Sequence, residues 1–190
     1  YFLFVGRLTR DKGVEFLMRT WMEHQLPWPL HIVGDGPMAG AVREAAGQCA
    51  AIRYLGPLDR KGVIGQMHGA RASVFASLLY ETFGMVALES MACAVPVLAT
   101  KAGAAATIVE DGRTGLLFDP TSTDDLAAKA DTNLQPVIAD IRKSLDQVRQ
   151  LTSKALALAF FLGRAGGLEL IVGFDAAMPV IDVQDVERVV

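Results

Sequence analysis

The apolar residues of this chain fall first into short unbroken runs and later into a long spaced repeat. Tyr1 to Val5 (YFLFV) is apolar throughout and stops at Gly6. LHIVG (Leu30 to Gly34), IRYLGPL from Ile52, SVFAS from Ser73 and VPVLAT from Val95 repeat that form, each closing on glycine, proline or a polar turn. Runs of this length and composition predict strands buried on both faces. Between them lie stretches with helical spacing: one entered after Lys12, one starting at Pro37, and one running Met85, Val86, Ala87, Leu88, Met91, Ala92. Strand and helix alternate about every 20 to 25 residues up to residue 130. The alternation predicts an α/β fold, a Rossmann-like parallel sheet flanked by helices, with ligand loops at the carboxyl ends of the strands.

After Asp131 the pattern changes. Leu134, Ile138, Ile141, Leu145, Val148, Leu151, Ala155, Leu158 and Leu162 recur at three- and four-residue steps, with charges between them. Pro136 near the start and Gly163 at the end bound a long amphipathic helix. Its last turns, ALALAFFL, are apolar all round but too short to span a bilayer, and Arg164 follows at once. LELIVGF and VIDV then predict one or two short strands. The expected organisation is a ligand-binding domain over residues 1–130 and a helical, divergent tail over 131–190, whose residues 164–190 suggest no role.

Composition narrows the field of partners. A chain of 190 residues can bury a core and most simply forms one domain. The net charge of −3 is scattered, with no basic stripe for nucleic acid and no polybasic run for anionic lipid. Cys49 and Cys93 sit in apolar, helical surroundings, which favours buried reduced thiols over a disulfide and fits a reducing cytoplasm. His24, His31 and His68 have no metal-ligand spacing, and no Asp-x-Asp occurs, so no metal is expected.

The chemistry concentrates in ETFGMVALE, residues 81–89. Glu81 and Glu89 have seven residues between them. If most of that interval is helical, they stand about 12 Å apart along the axis and are turned by about 80°. Carboxylates that share a glycosidic bond in hydrolysis lie about 5 to 9.5 Å apart. The pair therefore suits the two ends of an elongated polar ligand. Gly84, at the start of the helical run, lets backbone N–H groups approach an anion where the helix dipole favours negative charge. Sugar, diphosphate and ribose of a nucleotide-sugar would match this order. An ordinary amphipathic helix with surface glutamates gives the same spacing, so spacing alone leaves both readings open. Arg7 and Lys12, around the loop after the first strand, suit a diphosphate, Arg by forking onto two oxygens and Lys as a point charge. A carbonyl-capping Arg and a solvated Lys would produce the same residues.

Taken in order, VGRLTRDKG, VGDGP, YLGPL, ETFGMVALESMA, VPVLAT and VEDGRTGLLFDP resemble the C-terminal, donor-binding domain of the retaining GT-B glycosyltransferases that use nucleotide-sugars, glycosyltransferase family 4. The resemblance covers about residues 1 to 130. It implies that Arg7 and Lys12 meet the diphosphate and Glu81 the sugar hydroxyls, these three forming the catalytic set. Gly6, Gly34, Phe83, Gly84 and Met85 would line the donor through backbone contacts. Leu58 would lie at the base, and Glu89 would hold the ribose. The nucleotide-sugar is a substrate, and no cofactor is implied. The family pattern also implies an N-terminal acceptor domain, in cis or on another chain, because Tyr1 already opens a core strand; the chain alone would then hold half a cleft and transfer nothing.

Two departures from the pattern stand out before the tail. Ala94 replaces the glycine of MACGVPV, a change expected only to tighten a turn. Ala104 to Thr107 (AAAT) replaces a stretch that in relatives carries a second glycine and an acidic residue. Two other functions compete. A non-catalytic nucleotide-sugar-binding or interaction module would explain the half cleft. A dinucleotide oxidoreductase would explain VGDGPMAG as G-x-G-x-x-A, but it wants an acidic residue about 20 positions on, where Arg53, Tyr54 and Leu55 stand.

Overall fold

A computed structural model describes residues 1–77, 84–103 and 105–164, with side chains as far as Lys154. It contains two compact units, Tyr1–Arg149 and Gln150–Val190. The first is built on six parallel strands in the order β3-β2-β1-β4-β5-β6: β1 Phe2–Val5, β2 Leu30–Val33, β3 Ile52–Gly56, β4 Ala72–Phe75, β5 Val97–Thr100 and β6 Gly115–Phe118. The helices are α1 Val14–His24, preceded by a 3₁₀ turn at Arg10–Lys12, α2 Ala39–Gln48, α3 Arg60–Gly69, α4 Met85–Ala92, α5 Ala105–Ile108, α6 Thr123–Asp131 and α7 Gln135–Arg164.

The Rossmann-like α/β fold expected from the apolar runs is the one observed. Successive strand side chains face opposite ways. Phe2, Phe4, Leu30, Ile32, Ala72, Val74, Leu98, Leu116 and Phe118 accordingly join α1, α2, α6 and the start of α7 in one core around Trp21. The alternate residues Leu3 and Val33 meet Met67 of α3 on the other face, and Val97 and Ala99 meet Ala87 and Ala105 there. Continuous apolar strands are the consequence of burying both faces.

The sixth strand, GLLF, was not among the five expected. It is short and sits between the turn DGRTG and Asp119-Pro120, so its signal is four residues long. Gly115 is the enabling residue: an added Cβ would lie 2.0 Å from the Val97 carbonyl oxygen of the neighbouring strand. β5 also starts later than VPVLAT suggests, at Val97, because Pro96 has no N–H for a ladder; its carbonyl accepts from Ser73 N–H at 3.0 Å.

Two helices begin on side-chain caps. Asp59 Oδ1 accepts from Gly62 N–H at 2.8 Å and Ser122 Oγ from Asp125 N–H at 3.1 Å. The expected amphipathic helix after Leu134 is α7, with Pro136 in its first turn, where a missing N–H is harmless. Leu134, Val137 and Ile141 are buried, which ties the first turns of α7 to the sheet domain. The strands expected in LELIVGF and VIDV lie outside the described residues. No helix among the described residues is long and apolar enough to cross a membrane.

His31 is nearly buried and serves the core, stacked on the Tyr1 ring at 3.8 Å with Nδ1 3.2 Å from Gln66 Oε1. Burial lowers its pKa from the usual value. Both cysteines are free thiols, but half-buried where full burial was expected.

Candidate functional site

The strand order reverses direction between β1 and β4. From β1 the chain leaves through α1 toward β2 on one side; from β4 it leaves through α4 toward β5 on the other. Connections that leave to opposite sides mark the switch point of the sheet, the place at the carboxyl ends of the strands where open α/β sheets bind ligands in a crevice. Gly6, Arg7 and Lys12 are on the β1 loop, and Gly84, Met85 and Glu89 are on the connection after β4 and on α4. Glu81 and Phe83 lie outside the described residues, as does Ala104 of the AAAT loop.

The β1 loop is held by backbone contacts. Gly6 N–H donates to Val33 O at 3.1 Å and Gly34 N–H to Gly56 O at 2.9 Å, stitching the ends of β1, β2 and β3 together. Leu8 N–H donates to Asp35 O at 2.8 Å, and Met38 N–H donates back to Leu8 O at 3.0 Å. At Gly34, with φ +135°, an added Cβ would stand 1.9 Å from the Gly6 carbonyl oxygen. The Tyr54 hydroxyl donates to Gly34 O at 3.0 Å, and the Arg43 guanidinium covers the Tyr54 ring at 5.2 Å. Gly34 and Gly36 of VGDGPMAG, whose added Cβ atoms would stand 1.9 Å from Gly6 O and 2.6 Å from Leu8 O, thus serve close packing between loops, whereas Gly40, in α2, has open space around it. Arg53, on β3, is exposed where a dinucleotide site would need an acid.

The turn that carries the cations crosses toward β4. Gly13, at φ +74°, closes the Arg10–Lys12 turn and lies so close to the end of β4 that an added Cβ would be 2.1 Å from Ala76 O. Arg7 is exposed and Lys12 half-buried. Across the crevice Gly84 is buried and α4 starts at Met85, whose side chain is 56% exposed. The known helical rise covers only Met85–Glu89, so the separation expected from an all-helical interval does not follow from helix geometry. Glu89 is half-buried on the second turn, and its charge, after burial, is the second cause raising the Cys93 thiol pKa above its usual value.

Leu58 is not brought to this crevice. It follows β3, two strand spacings from β1, or about 10 Å, and three from β4. A ligand touching both Leu58 and α4 must extend along the strand ends. Among the described residues no three His, Cys, Asp or Glu side chains gather into a group able to hold a metal.

Several residues at the site carried no signal in the sequence reading. Ser73, Ser77, Ser90 and Thr100 are buried hydroxyls around β4, and Tyr54 orients the β2 loop. Their only trace is a hydroxyl in place of an apolar residue within otherwise apolar strands and helices.

The profile of the family described as Glycosyl transferases group 1 matches residues 1–135. The chain is 34% identical over 137 residues to the D-inositol 3-phosphate glycosyltransferase of Corynebacterium jeikeium, covering 65% of this chain and 32% of that protein. It is 31% identical over 157 residues to the glycogen synthase of Mycobacterium tuberculosis, covering 80% and 38%. It thus spans 32% to 38% of the length of these relatives. Among solved structures, sucrose-phosphate synthase from Thermosynechococcus elongatus superposes with a TM-score of 0.64 at 29% identity, covering 83% of this chain and 45% of that one. Anabaena Alr3699/HepE, in complex with UDP and glucose, superposes with a TM-score of 0.63 at 24% identity, covering 80% and 48%. At that identity the last likeness concerns the fold alone.

Proposed function

This chain belongs to the group 1 glycosyltransferases, and from that premise we propose that it binds a nucleoside-diphosphate sugar across the β1–β4 crevice and supplies the donor half of a retaining, metal-independent glycosyl transfer. The observation that supports the reading is the strand order. The cation-bearing turn follows β1 and packs on the end of β4, α4 follows β4, and these two strands flank the switch point, from which the strand order leads past β2 to β3 and Leu58. An elongated, anionic ligand matches that row of strand ends.

In this reading Arg7, Lys12 and the amino end of α4 meet the diphosphate. Negative charge grows on it as the anomeric bond breaks, and groups that bind that charge more strongly in the transition state accelerate the step. Glu89 accepts hydrogen bonds from the ribose hydroxyls, Leu58 lies beside the base, and Gly6 and Gly34 shape the floor. Glu81 would hold the sugar and Phe83 would offer backbone contacts. The acceptor site would come from a further domain, in cis or on another chain.

Calorimetry of the chain with uridine, guanosine and adenosine diphosphates, chelator present, tests the proposal. One of the three should bind without metal, and Glu89→Ala should weaken it by roughly 1.5 to 3 kcal/mol, the scale of a charge-assisted hydrogen bond. Binding that disappears with chelator, or a mutant with unchanged affinity, overturns it.

A further inference from the structure

Six polar side chains are buried among the described residues, and four of them, Ser73, Ser77, Ser90 and Thr100, surround β4. Ser73 lies on β4, Ser77 two residues past its end, Ser90 on α4, and Thr100 closes β5. Ser90 Oγ is 2.7 Å from Ser73 Oγ and 2.9 Å from Val86 O. Each hydroxyl has one proton, so both contacts are satisfied when Ser73 donates to Ser90 and Ser90 donates to the Val86 carbonyl. That chain fixes α4 to β4 one residue from Glu89. The Thr100 hydroxyl donates to Ser77 O at 2.9 Å, which fixes the end of β4 to β5. Ser77 Oγ in turn reaches the Asp11 carbonyl, at a long 3.5 Å, in the turn that carries Lys12.

The apolar contacts of α4 and α5 with β5 already hold these elements on the sheet. A pair of buried hydroxyls replaced together by apolar groups of similar shape is close to neutral for stability. What the hydroxyls add is direction: a hydrogen bond fixes one register of helix on strand where apolar packing tolerates several. We infer that Ser73, Ser90 and Thr100 are positioning residues for the donor site, setting where α4 and the end of β4 stand relative to the cation turn. This rests on the donor-binding reading above, since it assigns the same crevice a placement mechanism.

The test uses Ser73→Ala/Ser90→Ala together, Thr100→Val and Thr100→Ser, with UDP, GDP and ADP as probes. Melting temperature, Kd by calorimetry and the phosphorus NMR shift of the bound diphosphate are measured for each. The double variant should keep wild-type stability, and Thr100→Val, which leaves the Ser77 carbonyl without its donor, should stay folded with a lower melting temperature. Both should weaken nucleotide binding about 10-fold, the scale on which displaced site groups are felt, and move the phosphorus resonance. Thr100→Ser, which keeps the hydroxyl, should restore both readouts. Unchanged affinity and resonance in a folded double variant overturn the inference and leave the donor-binding reading intact. If the double variant unfolds, the contrast between Thr100→Val and Thr100→Ser decides alone, and equal behaviour of the two overturns it. If the wild-type chain binds none of the three nucleotides, the donor-binding reading fails and this inference with it.

Discussion

The two flanks of the crevice solve one problem by opposite means. Loops at strand ends must be held still, and on the β1–β2–β3 flank this is done by removing side chains. Gly6 and Gly34 bring two loops into backbone contact, and Leu8 exchanges hydrogen bonds with the main chain of Asp35 and Met38. On the β4–β5 flank, besides the Gly13 contact with Ala76, the same end is reached by adding side chains, the hydroxyls of Ser73, Ser77, Ser90 and Thr100. Steric closeness admits no substituent, whereas a hydroxyl pair can lose one or both members without a clash. The first flank should therefore fail by strain and the second by loss of hydrogen bonds.

The largest effect is expected at Gly34. Gly34→Ala places a Cβ 1.9 Å from a backbone oxygen, at φ +135°, where side chains are rarely accommodated. Neither Gly6 nor the end of β2 can yield without opening a strand pair. The expected cost is about 3 kcal/mol or more, read by urea denaturation as a lower midpoint with a similar slope. A variant as stable as the wild type would mean that the glycine flank is not fixed by contact, and the contrast would collapse.

On the hydroxyl flank the expected signature is non-additivity. Ser90→Ala alone leaves the buried Ser73 hydroxyl without its acceptor and should cost roughly 1 to 3 kcal/mol, less the few tenths that alanine returns through helix propensity. Ser73→Ala in addition removes the orphaned group and should recover most of the loss. A double-mutant cycle measured by denaturation gives the coupling. Additive losses in the two singles would show that the pair is not coupled.

How far the sequence reveals each flank follows from the same contrast. Glycine at a turn after an apolar run is a local, spaced signal, so Gly6, Gly34 and the β1–β2–β3 half could be placed by reading along the chain. The alternation that gives the Rossmann-like order is equally local. Ser90 and Ser73 are 17 residues apart and meet only through the packing of α4 on β4. No periodicity marks them, because serine in a helix or strand usually faces solvent. β6 escaped for a related reason: four residues are enough once Gly115 lets the strand lie against Val97, but too few to stand out in a pattern. The Glu81–Glu89 spacing suggests a ligand, yet its geometry depends on where the helix starts, which a motif does not state, and Glu81 lies outside the described residues.

The smallest effect, and the sharpest probe of the rule, is expected at Ala94. Helix α4 ends in a Schellman motif: Val95 N–H donates to Ser90 O and Ala94 N–H to Met91 O, both at 2.9 Å. The motif puts Ala94 in the left-handed region, with φ 57°, so the replacement of the family's glycine does more than tighten a turn. An alanine there carries strain of about 1 to 2 kcal/mol that glycine would not. Against relief of that strain stand the loss of a half-buried methyl, at most about 0.8 kcal/mol, and the greater freedom of a glycine in the unfolded chain. Ala94→Gly should therefore stabilise by no more than about 1 kcal/mol, with a few tenths as the central expectation. In a chain of this size that raises Tm by roughly 1 to 2 °C, and by about 4 °C at most. The result separates two ideas about the hydroxyl flank. A rise says that this flank tolerates backbone strain because Ser90, the very residue whose carbonyl closes the motif, is anchored through its side chain to Ser73. A fall in Tm says that the Ala94 methyl is itself a packing element, and that side-chain contact, rather than hydroxyl anchoring, holds the end of α4.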